Sequence, residues 1–203
     1  MGRRERNKEA KLHRLEEAGM QAFLAEGYTS ASVERIAAAA DVARGTFYLY
    51  FKDKESLFEA LMERLWGPLL EAIDEASAAL AACPDVASTF PVYAALGGRL
   101  AGLLVERRDE LQLYFAEARA RGPAGESVRR RSARVEELTR MILEDAIARG
   151  TLREHDVQAA SLAIFGGIER LVYAFLQGDP ALDAGLVPGE MIRLFRHGLA
   201  PKG

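Results

Sequence analysis

Arg44, Thr46, Tyr48 and Tyr50 fall within seven residues, interleaved with Phe47 and Phe51 and preceded by the alanine run Ala37 to Ala40. A guanidinium, a hydroxyl and two phenols at this density are groups that donate to phosphates and to base edges. In a helix, residues four apart share a face. That pairs Phe47 with Phe51, Arg44 with Tyr48, and Thr46 with Tyr50. A helix this short cannot bury three faces, so Phe47 and Phe51 are expected to anchor it against Phe23, Val33 and Ile36. The polar pairs then face outward. Gly45 carries no side chain and lets the helix approach another surface closely. Lys54 falls at the start of the next helix, where amides and dipole favour a phosphate.

Apolar residues recur at helical spacing along almost the whole chain, and strand signals are nearly absent. Leu12, Leu15, Gly19, Ala22 and Phe23 mark one face of a first helix ending near Gly27. Ser32 is placed to cap a second helix whose inner face is Val33, Ile36, Ala37 and Ala40. Asp41-Val42-Ala43 turns the chain into a third helix over 44–51. Asp53 is a plausible N-cap for a long fourth helix reaching about Leu80, with a kink expected at Gly67-Pro68. Further helices are expected near 86–106, 109–121, 126–149, 155–178 and 188–199. The fold class is all-α, with a helix-turn-helix unit over 1–53 and a larger helical body over 54–203. In a helix-turn-helix the second helix enters the major groove of DNA. Ser32, starting the first of the two helices, is then a candidate phosphate donor.

Charge placement agrees. The net charge is −3, yet residues 1–54 hold ten Lys/Arg against eight Asp/Glu. The first fourteen residues carry six cations and two anions. Two readings of that basic start are open, a solvated helix end or non-specific phosphate attraction. Cys83 is the single cysteine, so no intramolecular disulfide forms, which suits a reducing cytoplasm. The amino-terminal residues lack the apolar stretch of a signal peptide, and the sequence is read as containing no membrane span. His13, His155 and His197 lack metal-ligand spacing, and no nucleophile or acid/base arrangement stands out. No enzyme, cofactor or metal is therefore expected.

The pattern I-A-x-x-A-x-V-x-x-G-T-F-Y-x-Y-F-x-x-K-x-x-L runs from Ile36 to Leu57, and A-F-x-x-x-G-Y-x-x-x-S-V precedes it from Ala22 to Val33. Together they resemble the amino-terminal domain of tetracycline-repressor-like (TetR family) regulators. The resemblance implies a homodimeric repressor released from a palindromic double-stranded DNA operator by a small-molecule effector. It places DNA recognition on Arg44, Gly45, Thr46, Tyr48 and Tyr50, and a phosphate contact on Lys54. Ala43 departs from the pattern, because a serine or threonine often caps the recognition helix there. A helical ligand-binding or interaction protein without specific DNA binding is the alternative.

The body is apolar enough for two purposes. Trp66, Leu69, Tyr93, Leu96, Leu100, Leu103, Tyr114 and Met141 could line a cavity for a hydrophobic effector or simply fill a core. Arg99 interrupts the apolar run Ala94 to Val105, either to pair with an anionic ligand group or to face solvent. Ile164, Phe165, Ile168, Leu171, Val172 and Phe175 recur at helical spacing, as do Phe195 and Leu199 near the end. By resemblance these two helices form a four-helix bundle with their copies in a partner subunit. An intramolecular core is the other reading.

Overall fold

The computed structural model describes the chain except residues 1, 180, 181, 183–188, 192, 195–197 and 199–203. Eight helices follow one another among the described residues: α1 (Arg3–Ser30), α2 (Val33–Ala39), α3 (Arg44–Phe47), α4 (Lys54–Ala81), α5 (Thr89–Glu106), α6 (Arg108–Glu117), α7 (Pro123–Ala148) and α8 (Val157–Leu176). The all-α class is as the sequence indicates. In the stretch expected to be helical over 188–199, residues 189–191, 193, 194 and 198 are helical, and Phe195 and Leu199 lie outside the described residues.

Two compact units divide the chain. One comprises residues 1–65 and 109–130, the other residues 66–108 and 131–203. α4 and α7 each contribute one end to one unit and the other end to the other. Contact thus groups most of α6 and the start of α7 with the amino-terminal helices.

In the first unit the core forms from Leu15, Phe23, Ile36, Phe47, Leu57, Phe58, Leu61 and Met62, all essentially inaccessible to water. Burying each such side chain contributes roughly 1.5–3 kcal/mol. Gly19 lets α1 and α4 meet, because a Cβ there would fall 2.5 Å from Leu57 Cδ2. α1 breaks where the sequence predicts: Gly27 adopts φ 77°, a left-handed value that a side chain would oppose.

In the second unit Leu143, Ala146 and Leu152 form a buried cluster, and Val157, Ala160 and Ile164 of α8 pack on it. Arg149 ties α7 to the end of α4 by donating to the carbonyl of Leu80. Arg108 donates to the Leu176 carbonyl, 3.0 Å away, at the end of α8. The most apolar 18-residue stretch of α8 has mean hydropathy 1.5, and only 17% of it is buried. One helix of this length and composition is weak evidence for a membrane span, because core helices meet the same measure.

Candidate nucleic-acid interface

The turn between α2 and α3 sets the geometry of the headpiece. Ser32 caps α2, its hydroxyl oxygen accepting from Arg35 N at 3.3 Å. At the other end Ala40 is the C-cap and Asp41 takes φ 52°. Asp41 N donates to Ala38 O and Val42 N donates to Ala37 O. This pair of bonds is a Schellman motif, in which a left-handed residue reverses the chain and satisfies the last helical carbonyls. Glycine usually holds that position; aspartate is among the few residues that tolerate it.

The chain then enters α3 through Ala43, which makes no side-chain cap bond. α3 is shorter than the 44–51 expected. After Phe47 the backbone tightens, with Leu49 N bonded to Thr46 O and Tyr50 N to Phe47 O. One helical bond survives, from Phe51 N to Phe47 O at 3.0 Å. The 47/51 spacing that suggested a longer helix is thus kept by a turn rather than by regular helix. Phe47 and Phe51 are both buried, their ring centroids 5.6 Å apart, so the anchoring role stands.

With that pair inward, Arg44, Gly45, Tyr48 and Leu49 are exposed, and Thr46 and Tyr50 are partly so. Arg44 Nη2 lies 3.4 Å from the Tyr48 hydroxyl, and its guanidinium carbon is 5.7 Å from the Tyr48 ring centre. Arg44 also reaches Glu34 Oε1 of α2 at 3.0 Å. The Tyr48 hydroxyl and then the Glu34 carboxylate hold the guanidinium above its ordinary value. At Gly45 a Cβ would meet nothing within 4 Å, so no neighbour in the fold crowds that position.

Lys54 departs from the sequence expectation. Its Nζ donates to three carbonyls just past the Gly27 break: Tyr28 at 2.6 Å, Ala31 at 2.9 Å and Thr29 at 3.2 Å. An ammonium has three N–H donors, and all three are used. Burial pulls Lys54 below its ordinary value, opposed by Glu117 and Glu26. The side chain is a tie between α4 and the end of α1, and no donor remains for the phosphate it was expected to hold. Asp53, by contrast, caps α4 as expected, its Oδ1 accepting from Ser56 N at 2.7 Å.

Two buried carboxylates missed from the sequence reinforce the headpiece. Glu117 Oε1 accepts from Tyr28 N at 3.0 Å, and Glu110 pairs with Arg64 Nε at 2.9 Å. Both lie on the face of α6 that buries Leu113 and Tyr114. Acids seven residues apart on an otherwise apolar helical face were the signal available.

The candidate effector residues are divided between the two compact units. Trp66 is buried, while Leu69, Tyr93, Leu96, Leu100 and Leu103 are partly buried in the second unit. Met141 is 49% exposed, and Tyr114 belongs to the first unit, its ring 4.9 Å from Phe115. Arg99 is paired with Glu75 and Glu71 of α4 at the surface, which favours its solvent-facing reading. On α8, Ile164 packs against α7 and Val172 is buried. Phe165, Leu171 and Phe175 are partly covered, and Ile168 is exposed.

Residues 15–61 match the model for bacterial regulatory proteins of the tetR family, and residues 94–173 match that for a tetracyclin repressor-like C-terminal domain. Between them the two span more than half of the chain. The chain belongs to the TetR family. Regulators of this family bind operator DNA and small-molecule effectors. A curated relative, the fatty acid metabolism regulator protein of Bacillus subtilis (strain 168), is similar over nearly the whole chain. It is 25% identical over 199 residues, covering 97% of this chain and 100% of the relative. Among solved structures, FadR from Bacillus subtilis in complex with stearoyl-CoA superposes with a TM-score of 0.71 at 22% identity, over 92% of this chain and 98% of that one. NalD, the secondary repressor of the MexAB-OprM multidrug efflux pump in Pseudomonas aeruginosa, gives 0.75 at 18% identity, over 98% and 100%. These relatives are transcriptional regulators, not enzymes.

Proposed function

We propose that the chain is a cytoplasmic, homodimeric repressor that releases a palindromic operator when a hydrophobic effector binds. Residues 1–53 would bind DNA and residues 54–203 would bind effector and partner. The observation that carries the reading is the recognition helix itself. Its aromatic anchors are buried, and Arg44, Gly45 and Tyr48 are presented to solvent on the opposite side. Thr46 and Tyr50 flank them, and the Ser32 hydroxyl remains able to donate to a phosphate. A ligand-binding protein without DNA recognition has no use for that presentation.

The effector class follows from kinship. The Bacillus subtilis relative is a fatty acid metabolism regulator, and FadR from that organism is solved with stearoyl-CoA. A long-chain acyl thioester is therefore the effector we propose, held by the apolar side chains of α4 and α5 in the second unit. Arg99, occupied by two carboxylates, is not part of this proposal.

The exposed apolar face of α8 supports the dimer. Leu162, Ile168 and Tyr173 are uncovered in the single chain, and a second copy would bury them in a twofold interface. Two headpieces would then face successive major grooves about one helical turn apart. Effector preferring a different headpiece spacing would lower operator affinity by linkage, with a coupling of about 1–3 kcal/mol typical. α4 and α7, each shared by the two compact units, are the segments through which such linkage would pass.

Selection of bound duplexes from random DNA, followed by titration of acyl thioesters, tests the proposal. Recovery of a palindromic sequence that saturated or long-chain acyl-CoA releases would support it. Recovery of no preferred sequence would refute the DNA reading, and operator binding indifferent to every acyl thioester would refute the effector reading.

A further inference from the structure

Leu49 is 80% exposed, more than any other large hydrophobic among the described residues. The TetR-like pattern leaves its position open. It sits between Tyr48 and Tyr50 at the end of the recognition helix, held by the bond from its own N to Thr46 O at 3.1 Å. It is exposed together with Arg44, Gly45 and Tyr48, while Phe47 and Phe51 of the same segment are buried. A Cβ at Gly45 would meet nothing within 4 Å, so the backbone there is open to an approaching surface. Arg44 and Tyr48 add a cation and a phenol to the exposed set.

An isolated exposed leucine needs no explanation at most surface positions. Here it lies on the face that the proposed function turns toward a base-pair edge. Four base pairs present hydrogen-bonding groups in the major groove, and only thymine adds an apolar one, its C5-methyl. Leucine can neither donate nor accept a hydrogen bond. Against any base edge but thymine it would cover polar atoms without replacing the water they lose. Against a thymine methyl, both partners leave water favourably. The open backbone at Gly45 admits the approach that such contact requires.

We infer that Leu49 is a specificity-determining residue that reads the C5-methyl of a thymine in each operator half-site. This rests on the DNA-binding reading proposed above, and adds to it an apolar contact beside the polar ones.

The test uses the full chain and duplexes selected by it from random DNA. Each dT in a half-site is replaced singly by dU, which removes the methyl and keeps every hydrogen-bonding group. For the native chain, at least one replacement should weaken binding roughly threefold to tenfold, the scale of losing one buried methyl-sized contact. Leu49→Ala should bind dT and dU duplexes equally at that position, with its circular dichroism unchanged. Leu49→Met, which keeps an apolar side chain, should retain the preference for dT. The inference is overturned if no dU replacement matters to the native chain, or if Leu49→Ala keeps the full dU penalty. Should Leu49→Ala bind too weakly to measure, a Leu49→Met variant without thymine preference overturns it equally. Failure to select any preferred duplex would instead overturn the DNA-binding reading itself, which separates the two.

Discussion

The Arg44 guanidinium lies 3.0 Å from the Glu34 carboxylate, so in the free chain the recognition helix carries its main cation already paired with the preceding helix. Both side chains are more than half exposed, and such pairs contribute little to stability. Against DNA the same carboxylate has a larger consequence. It would repel phosphates and compete with them for Arg44. Glu34→Gln should therefore bind duplex more tightly, by about 1 kcal/mol or roughly fivefold at low salt. The gain should shrink as salt rises. Fluorescence anisotropy at two salt concentrations measures it, and weaker binding by the variant would mean that Glu34 instead orients Arg44.

Gly45 separates stability from binding. Nothing in the fold crowds its Cβ position, and alanine is a better helix former by about 0.5–1 kcal/mol. Gly45→Ala should melt at the same temperature or slightly higher while losing at least tenfold in operator affinity. Unchanged affinity would show that the duplex does not approach the backbone there.

Lys54 makes the opposite prediction. Lys54→Met removes the donor that serves the carbonyls of Tyr28, Thr29 and Ala31, and should destabilise the headpiece by about 1–3 kcal/mol. The slope of log affinity against log salt should stay as it was. A slope reduced by about one would restore the phosphate contact that the sequence suggested.

Tyr28 adds a pH dependence at the alkaline end. Burial, then the carboxylates of Glu55, Asp53, Glu117 and Glu59, push its hydroxyl from 10.0 up to about 12. The folded state thus keeps a proton that the unfolded chain releases. Stability from this source is whole below pH 10 and declines as pH rises toward 12. Tyr28→Phe should lose less stability than the native chain between those values, as followed by denaturant unfolding.

Much of the headpiece was legible because its signals are local. Gly27 breaks α1, Ser32 caps α2, and the Phe47/Phe51 pair faces inward, each readable from a few neighbouring residues. What the sequence hid depends on partners far along the chain. Lys54 reads as a free cation until the end of α1 folds over it, 23 to 26 residues away. Glu117 gains its meaning from Tyr28, 89 residues distant. Leu49 escaped notice because leucine usually signals core, and only exposure distinguishes it. The body was less legible for a different reason. Apolar residues at helical spacing mark a buried face equally well against a core, a ligand or a second subunit, so Arg99 and Ile164 found their neighbours only in the fold.

The central claim is that the exposed edge of the recognition helix contacts DNA, and Arg44→Ala with Tyr48→Ala tests it most directly. Each variant is compared with the native chain on a selected duplex, with gel filtration as the control for assembly. The account predicts that both variants elute as the native chain does and lose operator binding by a hundredfold or more, about 2.7 kcal/mol. Correctly assembled variants that still bind the operator at native affinity would contradict it.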